Sequence, residues 1–299
     1  MAVSLHTPSG GEFISDPTPG QRRWRTFWRS PLAWWGVGMF VAILVFCFVG
    51  PLVYHSNAMT PDLRRAMLAP GPGGPLGTDD LGRSELLRMM IGGQLSLEVA
   101  IAAGFATTFF GAAYGLLSGF LGGLWDNILM RIVDVLIALP SIFLLLLVVS
   151  LFKPTPTLLV VVIAFTSWFS VARLVRGEVL TLKRREYIDA VRAIGASSFR
   201  LMLRHLLPNA MGVVIVTATF QIGYAILSVA GLSFLGLGLP PPTPNWGQML
   251  SSAMPYTFQN AWWLIYPPGI AIVLVELAAN FVGDALSEAF DPRPREGHS

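Results

Sequence analysis

The side chains best suited to chemistry are few in this sequence, and none stands where an active site would need it. A phosphate-binding loop needs a glycine-rich turn followed directly by lysine, so that backbone amides and an ammonium cradle the phosphates. The chain has two lysines, Lys153 and Lys183, and neither follows a glycine. The four histidines, His6, His55, His205 and His298, are scattered, with no pair at metal-ligand spacing and no H-E-x-x-H. No G-x-S-x-G nucleophile elbow occurs. The single cysteine, Cys47, lies within the apolar run 34–53 and has no internal disulfide partner. The chain is therefore not expected to hydrolyse ATP or to be any other enzyme, and no cofactor or metal is expected on it. Active work by such a chain must draw on a partner or on an ion gradient.

An ion gradient requires ionisable groups inside a membrane, and Glu276 is the candidate. It falls deep in an apolar run, and Asn280, Asp284 and Glu288 follow at steps of four along one helix face. A carboxylate at that depth should face a cavity or a neighbouring helix rather than lipid. A hydrogen-bonded structural contact, a cavity lining and a proton-coupling role all stay open. Asp134 lies one turn after Arg131, which predicts an ion pair between them.

The elements that must position these residues follow from composition. Of 299 residues, 54% are apolar and 12% charged, against about 25% charged in soluble domains. Membrane spans of about 20 apolar residues use such a composition, and a soluble core does not. Six helices are predicted, at Leu32–Val53, Leu95–Leu121, Asn127–Ser150, Pro156–Ala172, Ala210–Leu239 and Trp262–Val282. The expected organisation is an N-terminal tail over 1–30, a six-helix membrane domain over 31–290 and a short tail over 291–299. Residues 1–20 are rich in Ser, Thr, Pro and Gly and are expected to be disordered. About thirty polar residues precede the first apolar run, and that run is long enough to span, so no cleavable signal is expected. With the N-terminus inside, fifteen of the 20 Lys and Arg fall on the inner side and five on the outer. That places both termini in the cytoplasm. Arg22, Arg23, Arg25 and Arg29, interleaved with Trp24, Phe27 and Trp28, read as a topology anchor with an aromatic interface belt. Nucleic-acid binding is a poor alternative for this patch.

Gly111, Gly115 and Gly119 share a face of the second helix, where another backbone can approach closely. They pack either within the chain or on a second membrane subunit. Pro140 is expected to kink the third helix and Pro267 and Pro268 the sixth. Outside the spans, Thr78–Asp80 reads as a cap for an interfacial helix starting near Arg83, and the prolines at 240–244 as a helix stop.

The connection Arg173–Asn209 carries eight basic residues and an internal pattern. Residues 178–193 have helical composition, Gly195 interrupts them, and 197–207 predict a second short helix with Ser197 or Ser198 as N-cap. Pro208 is expected to stop that helix. Ile188, Val191, Ile194, Phe199, Met202 and Leu203 are expected to form an apolar knob between the basic flanks.

These residues resemble the EAA loop of ABC importer permeases, in which E-A-A is followed by three residues, glycine, a spacer and Leu-Pro. Here the positions are filled by Asp189, Ala190 and Val191, then Gly195, then Leu207 and Pro208. Two of the first three letters differ, Asp for Glu and Val for Ala. Pro75–Arg83, Arg131–Asp134 with Pro140, Gly231–Gly238, Trp246–Gly247, Asn280, Gly283–Asp284 and Asp291–Pro292 narrow the likeness. They are similar to the dipeptide/oligopeptide/nickel branch and to its second, C-type, permease, over Leu32 to Arg293. Two departures stand in membrane helices: Val229 where relatives carry Glu, and Glu276 where they are apolar.

The resemblance implies an all-α, type I importer architecture in the bacterial inner membrane. It implies a second homologous permease, two ATPase subunits holding ATP and magnesium, an extracytoplasmic substrate-binding protein and surrounding lipid. Glu186, Asp189, Ala190, Gly195, Ala196, Phe199, Leu207 and Pro208 are then the residues that couple to the ATPases. Ser170, Gln221, Tyr224, Ser228 and Glu276, with Thr166 and Ser167 beside them, are candidates for the translocation path. Residues 54–94 and 240–261 are the outer segments large enough to meet a binding protein. A secondary transporter using Glu276, and a scaffold that recruits an ATPase, are the competing readings.

Overall fold

The computed structural model describes residues 19–193 and 195–291. The expected disorder of the first residues, the basic Arg293 and Arg295, and Ile194 of the expected knob lie outside them, apart from Pro19 and Gly20. The described chain is helical: α1 (Pro19–Arg29), α2 (Pro31–Val53), α3 (Glu85–Leu121), α4 (Gly123–Ile137), α5 (Ser141–Leu151), α6 (Pro156–Lys183), α7 (Glu186–Ala193), α8 (Ser198–Phe234), α9 (Trp246–Ala253) and α10 (Trp262–Phe290). Five of these, α2, α3, α6, α8 and α10, are long and apolar enough to cross a membrane, and α4 with α5 makes a sixth, broken span. Large apolar side chains cover the outside, Leu52 at 73% and Phe109 at 70% exposure among them, which suits a hydrocarbon surround.

The third span is broken rather than kinked. α4 and α5 meet at 78° across Pro140. Proline disfavours helical backbone in the residue before it and has no N–H to bond back. Pro140 itself is extended, with ψ 118°, and α5 starts afresh at Ser141. Two other prolines behave differently. Pro51 leaves the Cys47 carbonyl without its helical donor, and the Gln94 side chain on α3 donates to that oxygen at 2.7 Å. A wide π turn at Val45–Val49 accommodates the ring. Pro208 likewise follows a π turn, Met202–Leu206, so it does not stop the helix, and the expected short helix runs unbroken into the fifth span. The stop of α8 is Gly236 (φ +80°), where Leu237 N–H closes onto Leu232 C=O at 2.9 Å. The proline run lies beyond that turn.

α3 is the centre of the packing. Gly104 admits the backbone of α8 at Ile222. Gly111, Gly115 and Gly119 admit α6 at Val171, Ala172, Arg176 and Val179, so the glycine ridge packs within the chain. Leu97, Ala100, Ala103, Ile226, Val229, Leu232, Trp246 and Val275 form the main buried cluster. At one end of that crossing α4 is clamped to α6. Arg176 donates to both carboxylate oxygens of Asp126 at 2.6 and 2.7 Å, and Ser118 Oγ to Asp126 at 2.6 Å. Asp134 pairs with Arg173 at 2.7 Å rather than with Arg131, because α6 brings its guanidinium across while Arg131 lies on the same helix. Lys183 reaches back to the Gly119 and Phe120 carbonyls at 3.1 and 2.8 Å, capping the end of α3.

At the opposite end, residues 54–84 form a compact loop held by polar contacts. Asp79 accepts from the Leu81 and Arg83 amides at 3.0 and 2.8 Å and from the Arg83 side chain at 2.7 Å. Arg88 Nε lies 3.3 Å from the same carboxylate. Thr78 accepts from Leu68 N–H and donates to Arg65 C=O. The helix N-cap is Ser84, so Thr78 and Asp79 staple the loop instead of capping the helix. α3 starts about ten residues earlier than the apolar run, because Glu85 and Arg88 are buried in this network. Removing the shared carboxylate in Asp79→Ala orphans the buried Arg83 guanidinium and two amides and leaves Arg88 with only its bond to Ala58 C=O, at about 3–5 kcal/mol of local stability. Limited proteolysis should then cut within 54–84 much faster than in the wild type, with the spans still protected.

Candidate coupling surface and translocation path

α7 ends by the rule that ends α8. Gly195 stands at φ +80°, a left-handed conformation that glycine adopts without steric penalty. Ala196 N–H closes onto Val191 C=O at 3.3 Å, the six-to-one bond of a Schellman turn. Ser197 then caps α8, accepting from Arg200 N–H at 3.4 Å. The Gly195 turn and the Ser197 cap thus set the direction between the two helices.

The apolar residues of this segment divide between two jobs. Ile188 is fully buried among Val175, Val179, Leu182, Leu201 and Leu206, so it ties α7 to the feet of α6 and α8. Val191 and Met202 pack against the same cluster. Phe199 at 67%, Leu203 at 41% and Tyr187 at 38% exposure face outward. The expected knob is therefore an inward anchor and a separate outward ledge. Glu186, Asp189, Ala190, Gly195 and Pro208 are exposed, and Ala196 and Leu207 are half-buried. The anchor thus packs α7 against both α6 and α8.

The path candidates sit mainly on α8. Gln221, Tyr224 and Ser228 share one face by their spacing. Tyr224 Oη meets Ser141 Oγ, at the start of α5, at 3.3 Å, and Ser228 Oγ donates to Tyr224 C=O at 2.9 Å. Thr166 and Ser170 bond within α6, to Val162 and Ser167 carbonyls at 3.0 and 3.1 Å. Glu276 is the middle residue of α10 and faces the backbone of α8 at Gly223. Its Oε1 accepts from Asn280 Nδ2 at 3.1 Å, while Oε2 is buried with no hydrogen-bond partner among the described residues. The polar stripe continues only in part: Asp284 is exposed.

Two further residues help set this geometry, Gln94, which sequence reasoning passed over, and Trp246, which it read only as part of a motif. Gln94 was signalled by the carbonyl that Pro51 frees, and nothing in the chain order pairs residues 47 and 94. Trp246 is fully buried and donates its indole N–H to Met89 C=O at 2.9 Å. It wedges α9 into the notch left by Gly93 on α3.

Among the described residues no group of His, Cys, Asp and Glu could hold a metal ion. Comparison with known proteins gives the surface a context. Residues 111–296 match the profile described as the binding-protein-dependent transport system inner membrane component. Residues 18–70 match the N-terminal TM domain of oligopeptide transport permease C. The oligopeptide transport system permease protein OppC of Bacillus subtilis is 36% identical over 90% of this chain and 88% of its own. The di/tripeptide transport system permease protein DppC of Pseudomonas aeruginosa is 37% identical over 98% of both. A putative peptide permease of Brucella suis is 40% identical over 98% of this chain and 99% of its own. A solved inward-facing MetNI methionine ABC transporter has a TM-score of 0.50 at 21% identity, covering 66% of this chain and 94% of its own, which supports the type I permease fold. The chain belongs to the ABC importer permeases of the dipeptide/oligopeptide/nickel family, as a C-type, second-permease member.

Proposed function

We propose that this chain pairs with a second, homologous permease and moves peptides inward across the cytoplasmic membrane. Energy comes from two separate ATPase subunits that hold ATP and magnesium, and an extracytoplasmic binding protein delivers the peptide. The observation that carries this reading is the α7–α8 junction. It presents an exposed ledge around Phe199 outside and a buried anchor at Ile188 inside. A partner pressing on the ledge moves α6 and α8 together, because the anchor joins them. Peptide cargo is supported by the names of the relatives that match along nearly the whole chain. The excess of Lys and Arg at the end bearing α1 and α7 supports a cytoplasmic position for both termini.

Glu186, Asp189, Ala190, Gly195, Ala196, Phe199, Leu207 and Pro208 make up the coupling segment in this reading. Gln221, Tyr224, Ser228 and Ser170 line the path, with Glu276 at the seam between α8 and α10. An ion-coupled mechanism rests on Glu276 alone and has less support than the family and the coupling segment together.

A single thiol tests the contact. Cys47, the one native cysteine, is buried, so Phe199→Cys adds one accessible sulfur at the ledge. In the assembled transporter a short bifunctional reagent should join it to an ATPase subunit in high yield. A thiol at exposed Phe109, on the apolar belt, should give no such product. Equal yields from both positions, or none from Phe199→Cys, would overturn the placement of the ATPase.

A further inference from the structure

α1 carries a row of cations that form no ion pair among the described residues. Arg22, Arg25 and Arg29 are spaced i, i+3 and i+7 and so share one face. All three are exposed, α1 contains no acidic residue, and none of the three enters a salt bridge among the described residues. Like charges one turn apart repel, so the row is favourable only beside anions. The remaining face is aromatic. Trp24 stacks on Phe27 and meets Trp28 edge-on, with centroids 5.8 and 5.5 Å apart, and Trp28 continues to Trp34 at 4.9 Å.

The position of α1 follows from its contacts. Ser30 is extended (ψ 127°) and separates α1 from α2. Phe27 before it and Ala33 after it pack into one cluster with Ala285 and Ala289 of α10. The extended residue redirects the chain between the two helices, and α1 lies beside the last turns of α10. Trp34 Nε1 donates to Trp28 C=O at 3.0 Å and fixes the corner. Trp24, Trp34 and Trp35 are 61–68% exposed at this level, and exposed tryptophans mark the membrane–water boundary.

We infer that α1 is an in-plane interfacial helix whose Arg22–Arg25–Arg29 row binds the phosphates of anionic phospholipids. Guanidinium pairs with phosphate through two parallel hydrogen bonds, and the row is set at headgroup depth by the tryptophans beside it. Arg23 is turned elsewhere, 5.0 Å over the Phe290 ring, and that ring fills the notch at Gly212 on α8. Arg23 thus links α1 to the end of α10 and, through Phe290, to α8 at Gly212.

The test uses the full chain purified in detergent doped with phosphatidylglycerol or phosphatidylcholine, with retained lipid counted by native mass spectrometry. Phosphatidylglycerol should be retained over phosphatidylcholine, and less so as sodium chloride rises. The triple variant R22Q/R25Q/R29Q should bind phosphatidylglycerol on the order of 100-fold more weakly at low salt, from about fivefold per charge. The triple lysine variant should stay near the wild type. Equal retention of both lipids by the wild type, or no response to salt, overturns the proposal without any variant having to fold. Displacement by inorganic phosphate beyond that by chloride at equal ionic strength also overturns it, in favour of a free-anion site. So does a glutamine variant that keeps its lipid.

Discussion

Replacing Gly195 by valine should leave insertion and folding intact and lower substrate-stimulated ATP hydrolysis by the reconstituted transporter about tenfold. The size follows from the backbone. A left-handed residue with a branched side chain costs about 1–2 kcal/mol, and a tenfold population change corresponds to about 1.4 kcal/mol. Nothing lies within 4 Å of where a Cβ would stand at Gly195, so no clash complicates the result. The defect is confined to the direction of the chain between α7 and α8. Ile188 still anchors α7 to the feet of α6 and α8, so the permease itself has no reason to unfold. What is lost is the angle at which Asp189, Ala190 and Phe199 are presented together. Asparagine tolerates the left-handed region, and Gly195→Asn should recover most of the stimulation. Normal stimulation in the valine variant would mean that the turn is not where motor and permease are joined. An equal loss in both variants would point to a need for space at Gly195 rather than for its backbone angle.

Gly195 was legible because a glycine between two helical stretches has few uses other than a turn of this kind. The spans were legible for a similar reason: apolar runs of that length have few other destinations. What the chain order hid were facts about which surfaces meet. Ile188, Val191 and Phe199 share apolar character and neighbouring positions, and periodicity cannot tell an anchor within the chain from an exposed ledge. Only the placement of Leu182 and Leu206 around Ile188 separates them. Pro208 read as a stop because proline normally ends a helix. It lies inside one here because a π turn absorbs the ring. Pro140 read as a kink, and the chain breaks there by 78°. The same residue type gives opposite outcomes, and local hydrogen bonding decides between them.

Charges misled for a related reason. Glu85 and Arg88 look like residues outside a membrane, yet both are buried, in the network centred on Asp79. Their helix therefore begins well before its apolar run. Asp134 had an arginine one turn away in sequence and took one from another helix instead. A pairing rule for isolated helices ranks only neighbours on the same helix. Tertiary packing offers more partners, and this half-exposed pair links α4 to α6.

The glycine ridge on α3 supplies the second large effect. Any side chain at Gly115 collides with the Ala172 carbonyl oxygen and approaches Arg176 N within 3.0 Å. Both are rigid backbone groups in the middle of α6, so the contact is relieved only by separating the helices. Separation empties the neighbouring contacts at Gly111 and Gly119 and stretches the Arg176–Asp126 bridge that clamps α4. Overpacking a well-filled site costs about 1–3 kcal/mol, and more where backbone must move. Gly115→Leu should therefore lower the thermal unfolding midpoint in detergent sharply and reduce the yield of folded chain. Gly38 is the natural comparison. It lies within α2 with nothing inside 4 Å of a Cβ, and Gly38→Ala should be neutral or gain about 0.5–1 kcal/mol from helix propensity. The pair of measurements also decides what the ridge is for. If Gly115→Leu unfolded like the wild type but no longer bound the second permease, the close approach to α6 would be incidental and the ridge would belong to the subunit interface. A chain that is destabilised before any partner is added assigns the ridge to its own fold, and the second permease must then dock elsewhere.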